Sequence, residues 1–470
     1  MSRGFGEVYD PPMSTTAPDR PWHLRGNWEP QHVEVTESAL RVEGRIPPEL
    51  DGLYVRTGPN PYDGSSPHWF YGDGMVHGVR ISGGRADWYR NRFVVTEAVR
   101  RHRGEHVKLP NLAKGTGNTH IIAHNGSLMA LEEGHWPWLL DGNLDTIRYE
   151  DYSGALPCSM TAHPKVCPIT GELLAFSYFS FQPPYLHYVR VSPDGRVQQV
   201  EPIDIPNMVM MHDFNVTRDH VVFMDLPLVF DLGELASGIP FRFNRDAGAR
   251  LGVMPRHGTN ADVTWIEIDP CYVFHPVNAH EHDGKIVLHV SRMDSAFSSS
   301  SDDYSEVGRL TRWVVDPMNG TVDEQRIDDR ASDFGRVNDG LVGLPARFAY
   351  MMSLDGEGNA EEPVYGSQLL KYDLVTGTCL EHQLGDGVRG GEPVFAPRSR
   401  RTGSDSSVTA ADEDDGWVMA IVHDEKAGAS SLVIVDARDF TAPPVARIHL
   451  PQRVPYGAHG NWVPTGTLHS

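Results

Sequence analysis

The sequence predicts an all-β fold made of many short hairpins, and three observations lead to that prediction. First, 46 glycines and 35 prolines are spread along 470 residues rather than clustered, which is typical of a chain with many turns. Second, strand-like runs joined by tight turns recur along the whole length. Third, runs with the apolar spacing of a helix are scarce. We therefore expect many antiparallel strands and few helices.

Eight turn segments, taken in chain order, connect these strand-like runs. Most contain a glycine or asparagine, which supplies positive φ at little cost, as tight hairpins require. The regular strand–helix alternation of an α/β fold is not evident, so the hairpins fit either stacked sandwiches or four-stranded sheets repeated around an axis, a β-propeller. The segments are Ile81 to Tyr89, His124 to Leu131, Cys167 to Leu174, Val191 to Val197, His282 to Leu288, Val315 to Val322, Tyr372 to Cys379 and Val435 to Phe440.

Two stretches lie outside the hairpin pattern. We expect residues 1–29 to form an N-terminal arm that wraps on the body, and residues 398–415, rich in Ser, Thr, Asp and Arg, to form a flexible loop between strands. Hairpin signals continue after that loop, so residues 30–470 are predicted to be a single propeller domain that carries the activity. Met1 to Arg20 is polar and contains no apolar run, so no signal peptide is expected.

Composition excludes several functional classes. A net charge of −22 argues against nucleic acid as a partner, because phosphate-binding surfaces need clustered Lys and Arg. Four cysteines without a CxxC pair make no disulfide framework, which favours a reduced, cytoplasmic protein. The sequence contains no run of about 20 apolar residues that could span a membrane, although a peripheral membrane contact stays open.

Four histidines lie in four separate apolar, strand-like motifs: His163, His212, His275 and His459. A buried imidazole needs partners for both ring nitrogens. A metal on one nitrogen and a carboxylate on the other is one solution, and two ordinary hydrogen bonds are another. The chain has 23 histidines, so the residues alone leave both readings open. A propeller would, however, bring such distant segments to one axis.

A series of motifs in a fixed order resembles the carotenoid cleavage oxygenase family, across roughly residues 30 to 465. The resemblance includes the four histidine motifs in order. The other motifs are Gly44 to Pro61, His68 to His77, Trp88 to Phe93, Gly117 to His120, Gly391 to Phe395 and Tyr456 to Trp462. The resemblance implies a seven-bladed β-propeller with a loop or helix cap over the active-site face.

The resemblance also implies a metal site. It assigns Fe(II) as the cofactor, bound by the four histidines; imidazole suits Fe(II). It assigns Thr119 to shielding one iron position, and Glu133 and Glu392 to holding the outer nitrogens of two histidines. Family members carry a third glutamate where this chain has Asp333, one methylene shorter. Either the strand lies further inward, or a water bridges, or that histidine is held more loosely.

The implied reaction is cleavage of a C=C bond of an apolar polyene, a carotenoid or apocarotenoid. Both atoms of dioxygen add across the bond and give two carbonyl products, without an external reductant. Members that cleave phenolic stilbenes carry a tyrosine and a lysine at the positions of Phe93 and Glu132 here, which disfavours a phenol. Stilbenoid or phenylpropene cleavage is therefore the alternative, followed by a non-catalytic lipid-binding propeller or an isomerase. Phe93, Glu132, Trp136 and Phe181 are the expected pocket residues.

Overall fold

The computed structural model describes residues 20–107, 115–236, 238–300, 303–357, 362–398 and 413–469. Within them most of the regular secondary structure is β-strand, as the sequence predicts. One α-helix spans Glu97–His102. Short 3-10 helices span Trp22–Leu24, Gly26–Trp28, Trp69–Tyr71, Leu232–Ala236, Arg245–Ala247, Asn260–Asp262 and Asp339–Leu341. No helix in the described part is long and apolar enough to cross a membrane.

The strands are numbered in chain order. They are β1 (Thr36–Glu37), β2 (Val42–Gly44), β3 (Gly52–Pro59), β4 (Gly74–Ser82), β5 (Arg85–Phe93), β6 (His120–His124), β7 (Ser127–Leu131), β8 (Trp138–Leu140), β9 (Thr146–Tyr149), β10 (Lys165–Val166), β11 (Leu173–Ser177), β12 (Leu186–Val191), β13 (Val197–Ile203), β14 (Asn215–Val216), β15 (His220–Asp225), β16 (Leu228–Phe230), β17 (Phe241–Phe243), β18 (Ala249–Pro255), β19 (Thr264–Ile268), β20 (Tyr272–His282), β21 (Lys285–Met293), β22 (Arg309–Asp316), β23 (Thr321–Arg336), β24 (Phe348–Leu354), β25 (Tyr365–Asp373), β26 (Thr378–Gln383), β27 (Val388–Arg389), β28 (Val394–Pro397), β29 (Gly416–Asp424), β30 (Ala429–Asp436), β31 (Ala446–His449) and β32 (Gly460–Pro464).

The described strands form seven antiparallel blades, so the propeller predicted from the sequence is confirmed. The first blade is β32-β3-β4-β5, with β1 added at its edge. Blades two, three and four are β6-β7-β8-β9, β10-β11-β12-β13 and β14-β15-β18-β19. Blades five and six form one continuous sheet, because the 16-residue β23 is the last strand of one and the first of the next. The seventh blade contains β27 to β31 and β2, and β16-β17 is a small extra hairpin.

The ring is closed by strands from opposite ends of the described chain. β32 pairs antiparallel with β3, so that Gly460 lies opposite Arg56 and Pro464 opposite Gly52. In the same way β2 pairs with β31 at the outer edge of the seventh blade. These two pairings tie strands from the two ends of the described chain into the first and seventh blades.

The core lies between the blades, and β29 shows why its sequence is a continuous apolar run. Alternate side chains of a strand point to opposite faces of the sheet. Trp417, Met419 and Ile421 pack into the cluster shared with the first blade. The intervening residues, such as Val418, pack into the cluster shared with the sixth blade. Both faces are thus covered by neighbours.

The predicted turns lie where the sequence indicates. Asn125 and Gly126, and again Asp283 and Gly284, have positive φ at the tips of β6-β7 and β20-β21. The loop predicted at 398–415 connects β28 to β29, but residues 399–412 lie outside the described part. Of the predicted arm, residues 20–29 are described and pack on the propeller through Trp22 and Trp28.

Candidate metal centre

The innermost segments of the seven blades meet at one point on the axis. In each blade, the innermost strand or the loop before it contributes one of the residues named in the sequence analysis. These residues are His459 before β32, Thr119 before β6, His163 before β10, His212 before β14, His275 in β20, Asp333 in β23 and Glu392 before β28. The propeller thus brings together residues more than 300 positions apart.

The four histidines form a compact, buried group. Candidate ligand atoms of all four lie within 4.8 Å of one another. Nε2 of His212 lies 3.0 Å from Nε2 of His163 and 3.0 Å from Nε2 of His275. The ring of His459 completes the group, with its centroid 4.5 Å from that of His163 and 4.7 Å from that of His275.

This arrangement fits a metal ion. Two nitrogens bound at right angles about 2.1 Å from one ion would lie about 3.0 Å apart, as observed. Ligating imidazoles must be neutral, and burial, with the neighbouring imidazoles, holds the pKa values of His163 and His459 well below their usual range. Burial also acts to lower the pKa of His275, but Asp333 outweighs it and the net shift is upward. The spacing of the four ligand atoms makes the group able to hold a metal ion.

Three carboxylates contact the outer nitrogens of three histidines. Glu133 accepts a hydrogen bond from Nδ1 of His212, and Nδ1 of His459 lies 2.9 Å from Oε1 of Glu392. Nδ1 of His275 lies 3.1 Å from Oδ2 of Asp333. Such contacts fix the Nδ1–H tautomer and direct the Nε2 lone pair inward. Each of the three carboxylates named in the sequence analysis, including the shorter aspartate, lies against the outer nitrogen of one histidine.

The carboxylates differ in how they are themselves held. Glu133 accepts a second hydrogen bond from the hydroxyl of the buried Tyr178. Glu392 accepts one from the backbone N–H of Gly460 at 2.7 Å and lies 3.4 Å from the Arg336 guanidinium. The second oxygen of Asp333 is buried without a hydrogen-bond partner among the described residues. The contacts of Tyr178 and Arg336 with these carboxylates were not predicted from the sequence, since a single tyrosine or arginine carries no distinctive local signal.

His163 is held differently from the other three. Its Nδ1 lies 3.7 Å from Oδ2 of Asp213, which is longer than a hydrogen bond. Asp213 is buried and is engaged by Lys165, at 2.8 Å, and by the N–H of Phe214. A fifth imidazole, His120, packs 5.4 Å from the ring of His163, with its Nδ1 3.0 Å from the carbonyl of Ala162. Sequence analysis singled out neither Asp213 nor His120 for this site.

Thr119 lies beside the histidines. Its carbonyl accepts a hydrogen bond from the N–H of His459 at 3.0 Å, and its hydroxyl donates to Oδ1 of Asn118 at 2.9 Å. It lines the same cavity as His212, His275 and His459. Because its hydroxyl is engaged with Asn118, the methyl group is the part of the side chain left to cover a metal position. That role stays a prediction.

Two cavities reach the histidines from different sides. One, of about 160 Å³, is lined mainly by apolar groups, among them Trp69, Phe274 and Tyr304, and it also contacts Thr119 and Glu132. The other, of about 300 Å³, contacts charged groups including Lys165, Asp213 and Arg336. The first cavity is the more apolar of the two.

Of the four expected pocket residues, only Glu132 is among those that line the apolar cavity in the described part. Its Oε2 lies 2.6 Å from Nδ1 of His135 and accepts a hydrogen bond from the N–H of Thr116. Phe93 packs in a separate cluster with Met75 and Val99. Trp136 stacks on Tyr149 and donates to the carbonyl of Cys158. Phe181 lies on the surface, 69% exposed. An aromatic residue signals burial or contact but not the face to which its strand directs it.

Fold and site together define a class of protein: a seven-bladed propeller with four histidines on its axis that are able to hold a metal. Comparison with known proteins narrows it. A profile described as retinal pigment epithelial membrane protein matches residues 28–464. A carotenoid cleavage oxygenase of Mycobacterium tuberculosis is 36% identical over 503 residues, covering 94% of this chain and 97% of the relative.

Solved structures agree with that comparison. The lignostilbene dioxygenase of Pseudomonas brassicacearum matches with a TM-score of 0.85 at 29% identity, over 96% of this chain and 100% of that one. The cobalt-substituted apocarotenoid oxygenase of Synechocystis matches with a TM-score of 0.80 at 28% identity, over 93% and 97%. The chain belongs to the carotenoid cleavage oxygenase family, as its motifs predict. The names of these relatives support an oxygenase activity.

Proposed function

We propose that this protein is an Fe(II)-dependent dioxygenase that cleaves a C=C bond of a carotenoid or apocarotenoid into two carbonyl products. The observation that carries the proposal is the four-histidine group at the wall of an apolar cavity. The four histidines would hold the metal, and Glu133, Asp333 and Glu392 would orient three of them. Bound there, Fe(II) would supply the activation of dioxygen.

The chain's own residues contribute binding, orientation and the exclusion of water. The apolar wall would hold the polyene by burial of hydrocarbon surface, worth about 25 cal/mol per Å². Trp69, Phe274 and Tyr304 on that wall present flat faces and edges to an extended conjugated chain. Cleavage moves no proton, so the site needs no acid–base pair, and Glu133, Asp333 and Glu392 would serve to orient histidines.

The cavity is small for the whole of such a substrate. Its volume of about 160 Å³ lies below the roughly 300–1,000 Å³ of pockets that enclose a drug-sized ligand. A long polyene would therefore place only the region near the reacting bond inside, with the remainder outside. The small volume also favours a second candidate substrate, a compact stilbenoid or phenylpropene. The carboxylate of Glu132 argues against this candidate, because it would repel a phenolate.

An exposed apolar patch supports a peripheral contact with a lipid phase that carries such substrates. Phe181 is 69% exposed and packs edge-on against Phe179 and Phe230. Phe179 in turn lies against Gly134, next to the cavity-lining Glu133. Flotation with neutral lipid vesicles tests the contact: Phe181→Ser should reduce the bound fraction, and Met318→Ser, at an exposed site, should not.

The central experiment is aerobic incubation of iron-replete protein with carotenoids, apocarotenals, resveratrol and isoeugenol under ¹⁸O₂, with mass spectrometry of products. The proposal predicts two labelled carbonyl fragments from a polyene. Activity should be lost in His212→Ala and kept in His282→Ala, which removes an exposed histidine outside the group. Turnover of the stilbenoid alone would select the second candidate. Iron-bound protein that converts none of these compounds would contradict both.

A further inference from the structure

Residues 22–28 lie outside all seven blades and yet are fixed on them. They form two consecutive 3-10 turns in which Trp22 and Trp28 are each 7% exposed. The carbonyl of Asn27 accepts a hydrogen bond from the N–H of Tyr456 at 2.9 Å. The Arg453 guanidinium donates to the carbonyl of Glu29 at 2.6 Å. These backbone contacts hold the segment in place independently of its two tryptophan rings.

The two tryptophans lie directly behind aromatic residues of the apolar cavity. The ring of Trp28 is 4.8 Å from Trp69 and 5.4 Å from Tyr365, centroid to centroid. The ring of Trp22 is 5.3 Å from Tyr304 and 5.9 Å from Trp69. All these pairs are edge-to-face, the favoured geometry for aromatic contacts. Trp69, Tyr304 and Tyr365 all line the cavity, so each has a tryptophan of the segment as its outer support.

The supported wall is connected to the metal centre by a continuous run of rings. Tyr365 lies 5.7 Å from Phe334, and Phe334 stacks on His275 at 4.9 Å. The Tyr365 hydroxyl donates to the carbonyl of Gly457, two residues before His459. Trp28 therefore packs against the same wall that these rings connect to the four histidines.

We propose that Trp28, assisted by Trp22, determines substrate specificity by positioning Trp69 and Tyr365. This wall stops the part of the polyene that enters the cavity and so selects which double bond lies beside the histidines. The inference rests on the proposed function. Trp28 touches cavity-lining residues rather than the cavity itself, and so it acts as a positioning residue. Its removal would let the Trp69 and Tyr365 rings move outward and lengthen the cavity.

The test compares iron-loaded wild type with Trp28→Ala, Trp28→Phe and Trp22→Ala. Trp265→Ala is the control, because Trp265 packs on Arg250 in the fourth blade. Products and kcat/KM are measured for a short and a long apocarotenal. Trp28→Ala should raise the long-to-short kcat/KM ratio about tenfold or more and move the cleaved bond, since pocket-size changes typically give such factors. Trp28→Phe should restore most of the wild-type pattern.

An unchanged ratio and unchanged product masses in Trp28→Ala, with wild-type iron content and melting temperature, would overturn the proposal. If wild type cleaves no polyene, the proposed function fails, and the wall is then tested by binding alone. Absorbance titration of the same two aldehydes should show the length preference shift in Trp28→Ala and not in Trp265→Ala. No shift in that titration would also overturn it.

Discussion

Oδ2 of Asp333 lies 3.1 Å from Nδ1 of His275, at the position where the motif resemblance predicts a glutamate. A local bulge accompanies this contact: the pairing of β23 with β24 shifts register between Asp333 and Arg336, and Phe334 within it has a φ of 58°. Gly335 lies so close to β20 that a Cβ there would be 2.5 Å from Cγ2 of Val277. The two strands therefore approach closely beside this contact, and the aspartate carboxylate reaches His275 directly.

Asp333→Ala should weaken iron binding by about 10–100-fold, the usual effect of losing a partner of a ligating histidine. Asp333→Asn should have a smaller effect, because the amide oxygen still accepts the hydrogen bond. Iron content after graded chelation measures both. Asp329→Ala, at an exposed aspartate, is the matched control, and equal iron retention in Asp333→Ala and the control would contradict a role for Asp333.

Gly335→Ala should loosen the same contact without removing it. The new methyl would collide with Val277 and push β23 away from His275, at a cost of about 1–3 kcal/mol for overpacking. We expect a lower melting temperature together with reduced iron retention. Gly142→Ala is the control, since the nearest atom to its new methyl would be 3.5 Å away. A melting temperature equal to the control's would refute the tight approach.

Tyr178→Phe should weaken the contact between Glu133 and His212. The change keeps the ring and removes the hydroxyl that donates to Glu133, which leaves a buried carboxylate oxygen without that donor, at a cost of about 1–3 kcal/mol. Iron retention should fall less than in Glu133→Ala. Chemical denaturation measures the loss of stability, and chelation measures the loss of iron retention. Tyr185→Phe is the control variant. Unfolding free energy unchanged from wild type would show that the hydroxyl is dispensable.

Glu132→Lys should shift substrate preference from polyenes toward phenolic stilbenes. The lysine would place an ammonium at the cavity wall in place of a carboxylate paired with His135, and it would stabilise a phenolate there. The measured quantity is the resveratrol-to-apocarotenal ratio of kcat/KM. Glu132→Gln separates the loss of negative charge from the gain of positive charge. A ratio that does not rise in Glu132→Lys would exclude this position from substrate selection.

Stability of the metal-free protein should fall as pH drops below about 6.5. Burial lowers the folded-state pKa of His120, His163 and His459, so the unfolded chain takes up protons first at these three residues. The pKa of His275 is raised, mainly by Asp333, and offsets part of the loss. Each of the three lowered groups removes up to about 1.4 kcal/mol per pH unit within that window, and none of the loss occurs above it. Denaturant midpoints at pH 7.5 and 5.5 measure this, and His120→Asn should reduce the slope. A midpoint constant across this range would contradict the expectation.

The parts of this protein that its sequence predicts are those with local signals. Turns such as Asn125-Gly126 follow from residues that tolerate positive φ, and the histidine motifs follow from their resemblance to the family. The 16-residue β23 shared by two blades has no such signal, because its two partners come from distant segments. Tyr178 and Trp28 likewise carry no local signal, because their roles depend on contacts with Glu133 and Trp69, which are distant in sequence. Phe93 was expected at the pocket because it stands at the position of the family's tyrosine, and Trp136 because it is aromatic. Neither is among the described residues that line the apolar cavity.

The pairing of β32 with β3 has a consequence for how the protein matures. His459 immediately precedes β32, the C-terminal strand that pairs with β3 in the first blade and closes the ring. An open ring would present three of the histidines and lack the fourth. Metal would then bind best to molecules whose ring is closed, and bound metal would stabilise the closed ring against opening. The metal content of a preparation would then count its correctly closed molecules, quite apart from any turnover.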